Sequence, residues 1–382
     1  MKAPVVLFWL VFFSYQLLDA QTLYFPERGE WQERSPEALN IDPAKLQEAV
    51  EYAQSIEYQG SVDLRVAILE GFKNEPYHQI LGPTKKRGGP TGMIIKDGYL
   101  VAQWGDTKRV DMTFSVTKSY LSTVAGLAWD KGLIRSVEDP MTSYIWDDKF
   151  MGAHNSQITW RHLLDQSSDW YGQLWGDYDW ADRPPAEGDV NDWRARELIA
   201  PGTKFEYNDV RVNLLAYSLL QVWRKPLPMV LKEQIMDPIG ASTTWRWFGY
   251  ENSWVNVDGV KMQSVSGGGH SGGGIFINTE DHARFGLLFL NHGKWGEQQP
   301  ISEEWIKMAI TPSSPEPNYG FMWWLDPNDD SGLNRISNQA FYAAGFGGNY
   351  IIIEPDHNLV VVLRWTEPSK VNTFLEKLYD SL

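Results

Sequence analysis

The stretch TFSVTKSYLSTVAGLAW, residues 113–129, decides how this chain is read. Between Asp111 and Asp130 its only charged side chain is Lys118. The spacing predicts a helix of about four turns that ends near Gly132. Ser115 and Lys118 stand three positions apart, which puts them on one helical face, roughly 5–6 Å apart at Cβ. The neighbours of Lys118 on that face are Phe114, Leu121, Ser122 and Ala125, and none is charged. Burial there disfavours an ammonium and lowers the lysine's pKa. A neutral amine beside a hydroxyl is a general base beside a nucleophile. Ser115 also falls at the start of the helix, where backbone N–H groups favour developing negative charge. A plainer reading makes Ser115 an N-cap and lets Lys118 snorkel to solvent. The chemical reading is favoured because this is the only Ser-x-x-Lys in the chain.

Composition narrows the function classes. The chain has 382 residues, 43% hydrophobic and 22% charged, which is ordinary for a globular protein. A formal net charge of −15 argues against nucleic-acid binding, which needs a basic face. The Lys85-Lys86-Arg87 cluster beside Gly88, Gly89 and Pro90 reads as a solvated loop. With no cysteine, disulfides, thiolate metal sites and a cysteine nucleophile are all excluded. The seven histidines show no His-x-x-x-His or His-Glu-x-x-His spacing, so no metal or organic cofactor is expected. Residues 1–20, MKAPVVLFWLVFFSYQLLDA, read as a signal peptide cut after Ala20. The expectation is a secreted or periplasmic protein with no stable membrane insertion after cleavage. Leu18 fits the cleavage pattern loosely, and an uncleaved, membrane-anchored form is the alternative.

The remaining pattern, residues 21–382, predicts an α/β (α+β) fold. Asp42-Pro43 caps a helix over AKLQEAVEYAQSIE. Asp97-Gly98 between two apolar runs predicts a hairpin. ITWRHLLDQSSDW, VRVNLLAYSLLQVW, EDHARFGLLFLNHG, EEWIKMAI and SKVNTFLEKLYDSL carry helical patterns, and NYIIIEPDHNLVVVLRW reads as two β-branched strands around a turn. The order implies an antiparallel sheet built from both chain ends (about 40–132 and 235–382) and flanked by helices. A mostly helical region, about 133–234, is inserted between them. LWGDYDWADRPPAEGDVNDW reads as a long ordered loop. Many of the 19 tryptophans fill core and loops on the plain reading; on the sharper one, Trp170, Trp175 and Trp180 line a ligand cleft.

From Gly92 to Trp146, through FSVTKS and GLAWDKGLIRSVEDPMTSYI, the chain resembles the serine β-lactamase and penicillin-binding-protein superfamily. It is most similar to the class C β-lactamase-like esterases, amidases and 6-aminohexanoate-oligomer hydrolases. The likeness continues in the family's order through PGTKFEYNDVRVNLLAYSLL and SGGGIFINTEDHARFGLLFLNHGKW to AAGFGGNYIIIEPDHNLVVVL. It implies Ser115 as nucleophile, Lys118 as its activating partner, and Tyr207 as the tyrosine that exchanges protons with serine and leaving group. The third position of that Tyr-x-Asn element is Asp209 here, so the substrate-amide contact transfers less safely. No Lys-Thr-Gly or His-Thr-Gly triplet is found. The matching strand is Ala344-Gly345-Phe346-Gly347-Gly348, whose glycines allow close backbone approach. The resemblance therefore implies an oxyanion hole from the amides of Ser115 and of Phe346 or Gly347. Without the cationic side chain of that triplet, efficient β-lactamase action is less expected. Arg364 is a candidate anion contact or an ordinary strand-end arginine.

The expectation is thus a serine hydrolase that cleaves a small ester or amide, or a short peptide-like substrate, through an acyl-enzyme. A true β-lactamase or D-alanyl peptidase is the alternative within the class, and a non-catalytic penicillin-binding-like ligand binder the alternative outside it. Gly269-His270-Ser271-Gly272-Gly273 also satisfies Gly-x-Ser-x-Gly, but it lacks a following helix. Ser168-Asp169-Trp170 approximates a Ser-Asp-Asn element without its asparagine.

Overall fold

The computed structural model describes residues 24–325, 332–334 and 337–382; the expected signal peptide lies outside the described residues. In chain order, α1 (Pro43–Ser55) and α2 (Leu64–Gly71) lead into the hairpin β1 (Thr91–Lys96) and β2 (Tyr99–Trp104). Next come β3 (Asp111–Met112), the central α3 (Val116–Asp130) and the short α4 (Trp160–Leu164). The loop that follows holds a small ribbon, β4 (Gln173–Leu174) with β5 (Asp177–Tyr178), and α5 (Val190–Arg194). Then follow α6 (Asp209–Trp223), α7 (Leu227–Leu231), β6 (Arg246–Val257), β7 (Val260–Val265) and β8 (Gly274–Ile277). The chain closes with α8 (Thr279–Leu290), α9 (Glu303–Ala309), β9 (Phe341–Gly345), β10 (Asn349–Glu354), β11 (Leu359–Arg364) and α10 (Val371–Tyr379).

The main sheet is antiparallel in the order β2-β1-β11-β10-β9, so strands from both chain ends do form it. Its register pairs Ile94 with Val361 and Ile352 with Val361. Because side chains alternate along a strand, Ile94, Ile352 and Val361 face α1 and α10, where they meet Leu46, Ala53, Phe374 and Leu378. Met93, Ile95, Ile351 and Val360 face the opposite way, toward α3 and α8. Both faces are covered, which is why these strands read as continuous apolar runs rather than alternating ones. Helix α8 lies close to the sheet at Gly286, where an added Cβ would sit 2.6 Å from Val360.

A second antiparallel sheet, β3-β8-β6-β7, runs beside the first. Its strands β6 and β7 are not among those expected from the sequence. Helix α3 is buried from Val116 to Ala128 and packs between the main sheet and α6 and α7. Its N-terminus emerges next to β9, the edge strand of the main sheet, and the candidate site lies there. Several expected helices are shorter than their patterns. ITWRHLLDQSSDW is helical only over Trp160–Leu164, because the backbone leaves helical geometry at Gln166 and Asp169, both of positive φ.

Candidate active site

Thr113, the residue that leads into α3, is fixed from behind. Its hydroxyl lies 2.8 Å from Nε2 of His282, whose Nδ1 meets the Tyr120 hydroxyl at 2.9 Å. Burial, with Arg364 adding to it, holds His282 well below the usual histidine range, so it is neutral. Phe114 then adopts φ +50°, an uncommon and costly conformation for a phenylalanine, before Ser115 enters the helix. Ser115 stands at the N-cap position of α3, but its side chain makes no capping hydrogen bond. The Lys118 Nζ instead donates to Ser115 Oγ at 2.9 Å.

Lys118 is 1% exposed, as its neighbours in sequence implied, but it is not neutral. Its Nζ also donates to Asp209 Oδ1 at 2.6 Å. Burial pulls the lysine's pKa down, while the Asp209 carboxylate and Tyr207 push it up, and the net shift is upward. This corrects the expectation of an uncharged amine. The partner comes from the first turn of α6, 91 residues away, where no local pattern around Lys118 could announce it.

Asp209 gathers further cations. Its Oδ2 lies 2.7 Å from Nη2 of Arg183 and 3.4 Å from Nδ1 of His270. Burial alone would raise the Asp209 pKa, but Lys118, Arg183 and His270 hold it well below the carboxylate range. Arg183 also pairs with Asp182, whose carboxylate accepts from the Asp209 backbone amide. His270 pairs with Glu75 at 2.6 Å. Burial lowers the His270 pKa, but Asp182, Asp209 and Glu75 lift it to about 9. Three cations, Lys118, Arg183 and His270, therefore face three carboxylates, Asp209, Asp182 and Glu75.

Tyr207 precedes α6, and its ring centroid is 4.6 Å from Lys118 Nζ. The ring stacks on Trp324 at 5.8 Å. Ser115, Tyr207 and Asp209 open on a cleft of about 740 Å³, walled by Phe72, Phe114, Trp324, Leu333, Tyr342, Phe346 and Tyr350. The far wall is the outer edge of β9. Trp324 pairs with Tyr342 there, and Ala344 and Gly345 continue the edge toward Ser115. An added Cβ at Gly345 would lie 3.3 Å from the Ser115 amide nitrogen, so the edge and the helix N-terminus adjoin. Among the described residues, neither the Ser115 nor the Phe346 amide donates to a protein acceptor. A substrate carbonyl oxygen placed between them would meet two unpaired donors.

Other expected site residues lie elsewhere. Trp170 is buried in the core, with Nε1 donating to the Lys149 carbonyl. Trp175 packs edge-on to Tyr250, and Trp180 against Tyr178, outside the cleft lining. Trp324, from a different segment, takes the place expected of them. Gly347 turns back against Trp365, which leaves Phe346 at the cleft. Arg364 is buried and donates to the carbonyls of Ile277 and Met112 and to Asn349, so it is a structural tie and not an anion contact. Asp169 of the Ser-Asp-Trp element anchors Arg211 and Arg196. No local pattern in the sequence marks Arg183 or Glu75 as site residues. His270 stands out in the sequence only within the Gly-x-Ser-x-Gly pattern, whose Ser271 is buried.

The family model described as Beta-lactamase matches residues 93–376. The 6-aminohexanoate-dimer hydrolase of Paenarthrobacter ureafaciens is 21% identical over 327 residues, which cover 81% of this chain and 72% of that protein. Two Escherichia coli relatives match at 24% identity, but the chain spans under half of their length, 46%. Among solved structures, a penicillin-binding protein homologue from Caulobacter crescentus superposes with a TM-score of 0.55 at 14% identity, covering 85% of this chain and 99% of that one. A β-lactamase from Mycobacterium bovis gives a TM-score of 0.52 at 19% identity, covering 82% and 100%. At such identities the structural likeness speaks for the fold, an α+β architecture with antiparallel sheets and flanking helices.

Proposed function

Because the chain belongs to the Beta-lactamase family of serine hydrolases, we propose that it hydrolyses an ester or amide through an acyl-enzyme on Ser115. The observation that carries the reading is the Lys118–Ser115 hydrogen bond at 2.9 Å, at a helix N-terminus that opens on the cleft.

In this mechanism Lys118 remains an ammonium. Its hydrogen bond stabilises negative charge on Ser115 Oγ as the oxygen attacks. The serine proton passes to Tyr207 while Tyr207 gives its own proton to the leaving group, so the phenol ends the step as it began. The tetrahedral oxyanion is received by the Ser115 and Phe346 amides. In the second half a water attacks the acyl ester and passes its proton to Tyr207 while Tyr207 gives its own phenolic proton to Ser115 Oγ, so the acid departs and both groups are restored.

The cleft favours an uncharged acyl group. Among the described residues that line it, the charged side chains are Arg183, Asp209 and His270, and each is already held in ion pairs: Arg183 with Asp182 and Asp209, and His270 with Glu75. The remaining wall combines aromatic and apolar side chains with the uncharged Asn318, Ser369 and Asn372, which suits an uncharged aryl or alkyl acyl ester or amide better than a carboxylate-bearing β-lactam or D-alanyl peptide.

The test is Ser115→Ala on a p-nitrophenyl ester, with fluorophosphonate labelling of both proteins. Turnover and labelling by the unsubstituted protein, with both lost in the variant, is the expected result. Ester turnover that survives the substitution would overturn it, as would a folded, ligand-binding protein that never labels.

A further inference from the structure

The carboxylate at Asp209 raises an electrostatic question: a buried anion against the catalytic ammonium should restrain it, and yet a second cation has been brought to the same carboxylate. That cation is Arg183, delivered by the loop between β5 and α5. We infer that Arg183 is a positioning residue for the proposed hydrolysis: it holds the outer oxygen of Asp209 and covers Tyr207, so that the loop completes the catalytic arrangement. The inference rests on the reading of Ser115, Lys118 and Tyr207 given above.

Four observations support it. Asp209 is bridging, with Oδ1 on Lys118 at 2.6 Å and Oδ2 on Arg183 at 2.7 Å, so the two cations fix the carboxylate from opposite ends. The Arg183 guanidinium also lies 5.1 Å from the Tyr207 ring centroid and 5.5 Å from that of Phe72, within cation–π range of both. Arg183 takes φ +49°, an uncommon backbone conformation for arginine, which a loop under no constraint would relax. Finally, the loop is held by its own buried ion pairs. Arg211 of α6 binds Asp169 at 3.0 Å and Asp179 at 3.3 Å, and Arg196 binds the same two carboxylates at 2.8 and 2.9 Å. Asp179 stands four residues before Arg183, so α6 supports both Asp209 and the loop that reaches over it.

The charges form one coupled unit. Without Arg183, the Asp209 charge falls more heavily on Lys118, and the carboxylate loses the partner that orients it. Without Asp209, Arg183, His270 and Lys118 face one another with one anion fewer. Removing both restores the charge balance. Coupling of this kind makes mutational effects non-additive.

The experiment compares Arg183→Met, Asp209→Asn and the double variant in kcat, KM and the fluorophosphonate labelling rate of Ser115, with Arg183→Lys as the conservative control. Arg183→Met should lower kcat by about tenfold with KM within about twofold, and slow labelling in step. The double variant should recover at least about fivefold over the product of the two single losses, and Arg183→Lys should recover part of kcat, since lysine supplies the charge without the planar fork. Losses that simply multiply would overturn the inference. So would Arg183→Met that raises KM and spares kcat, which would make Arg183 a substrate contact. A merely structural arginine would lower thermal stability in the single and double variants alike and show no recovery of kcat. If the unsubstituted protein neither labels nor hydrolyses any ester, it is the proposed function that fails, and the two failures remain distinct.

Discussion

Lys118 and Asp209 meet at 2.6 Å with both side chains almost wholly out of water. A pair of this kind gains little net stability when formed, because each ion gives up its hydration, but it is costly to break from one side. Lys118→Met leaves Asp209 with Arg183 and His270 alone and removes the hydrogen bond to Ser115. We expect a loss of about 3 kcal/mol in urea-induced unfolding and a fall in ester hydrolysis of at least about a thousandfold. An active Lys118→Met protein would rule out the ammonium as the group that stabilises the serine oxygen.

His270 supplies a pH dependence with a definite sign. It is buried among Glu75, Asp182, Asp209 and Asp177, with Arg183, Lys118 and His78 on the cationic or neutral side. Its pKa is raised from 6.5 to about 9, so the folded state binds its proton more tightly than the unfolded chain does. The resulting stabilisation is complete below about pH 6.5 and is lost as pH rises through about 9, an effect on the order of 3 kcal/mol. Thermal unfolding of the unsubstituted protein should therefore weaken between these two pH values. His270→Gln should be less stable at pH 6 and show a flatter profile across the same window. Parallel profiles for the two proteins would contradict a protonated His270.

The parts of the molecule that were legible in sequence share a physical cause. Asp42 caps α1, Asp97-Gly98 turns the β1–β2 hairpin, and the helical spacing of residues 116–130 gives α3; each is fixed by interactions within a few residues. Ser115 and Lys118 belong to this class, since one turn of one helix brings them together. Asp258-Gly259 carries the same turn signal as Asp97-Gly98, and the β6–β7 hairpin it joins could have been read from it. Arg183, Glu75 and the function of His270 could not. Arg183 and His270 reach Asp209 directly and Glu75 joins them through His270, from three separate loops, and their meaning lies in charge balance across long sequence separations. The tryptophans misled for a related reason: an indole in a long loop looks the same whether it lines a cleft or, like Trp170, sits in the core with its N–H on a carbonyl.

The lining of the cleft predicts an acyl preference. Phe72, Trp324, Tyr342 and Phe346 offer apolar surface, and the three charged groups among its described residues are already paired. An aryl or medium-chain alkyl ester should therefore exceed the matching succinyl ester in kcat/KM by at least about tenfold, the cost of burying an unpaired carboxylate being well above 1.4 kcal/mol. Hydrolysis of a chromogenic cephalosporin should be slow by comparison. Trp324→Ala should narrow the gap by raising KM for the aryl ester, because it removes the indole that stacks on Tyr207. Preference for the succinyl ester would place a free cation in the cleft.

The contact between β9 and the helix that bears the serine yields the sharpest geometric prediction. Gly345 ends β9, and a Cβ built on it would lie 2.3 Å from the Thr113 carbonyl oxygen and 3.3 Å from the Ser115 nitrogen. The first distance is too short for any folded structure to accept, and the obstacle is backbone, which cannot rotate aside. On the other side Thr113 is held by His282, itself fixed by Tyr120. In Gly345→Ala the movement must therefore come from β9, an edge strand that, among the described residues, pairs on its outer side only through the Tyr342–Trp324 bridge. That shift carries the Phe346 amide away from Ser115 and opens the proposed oxyanion hole. Misplacing one donor by about an ångström costs on the order of a hundredfold in rate. Gly345→Ala should thus lose about that much in kcat while the stability cost stays near 1–3 kcal/mol. Ser115 should still hydrogen-bond to Lys118, since neither group moves. A folded Gly345→Ala protein with undiminished kcat would show that Phe346 does not receive the oxyanion.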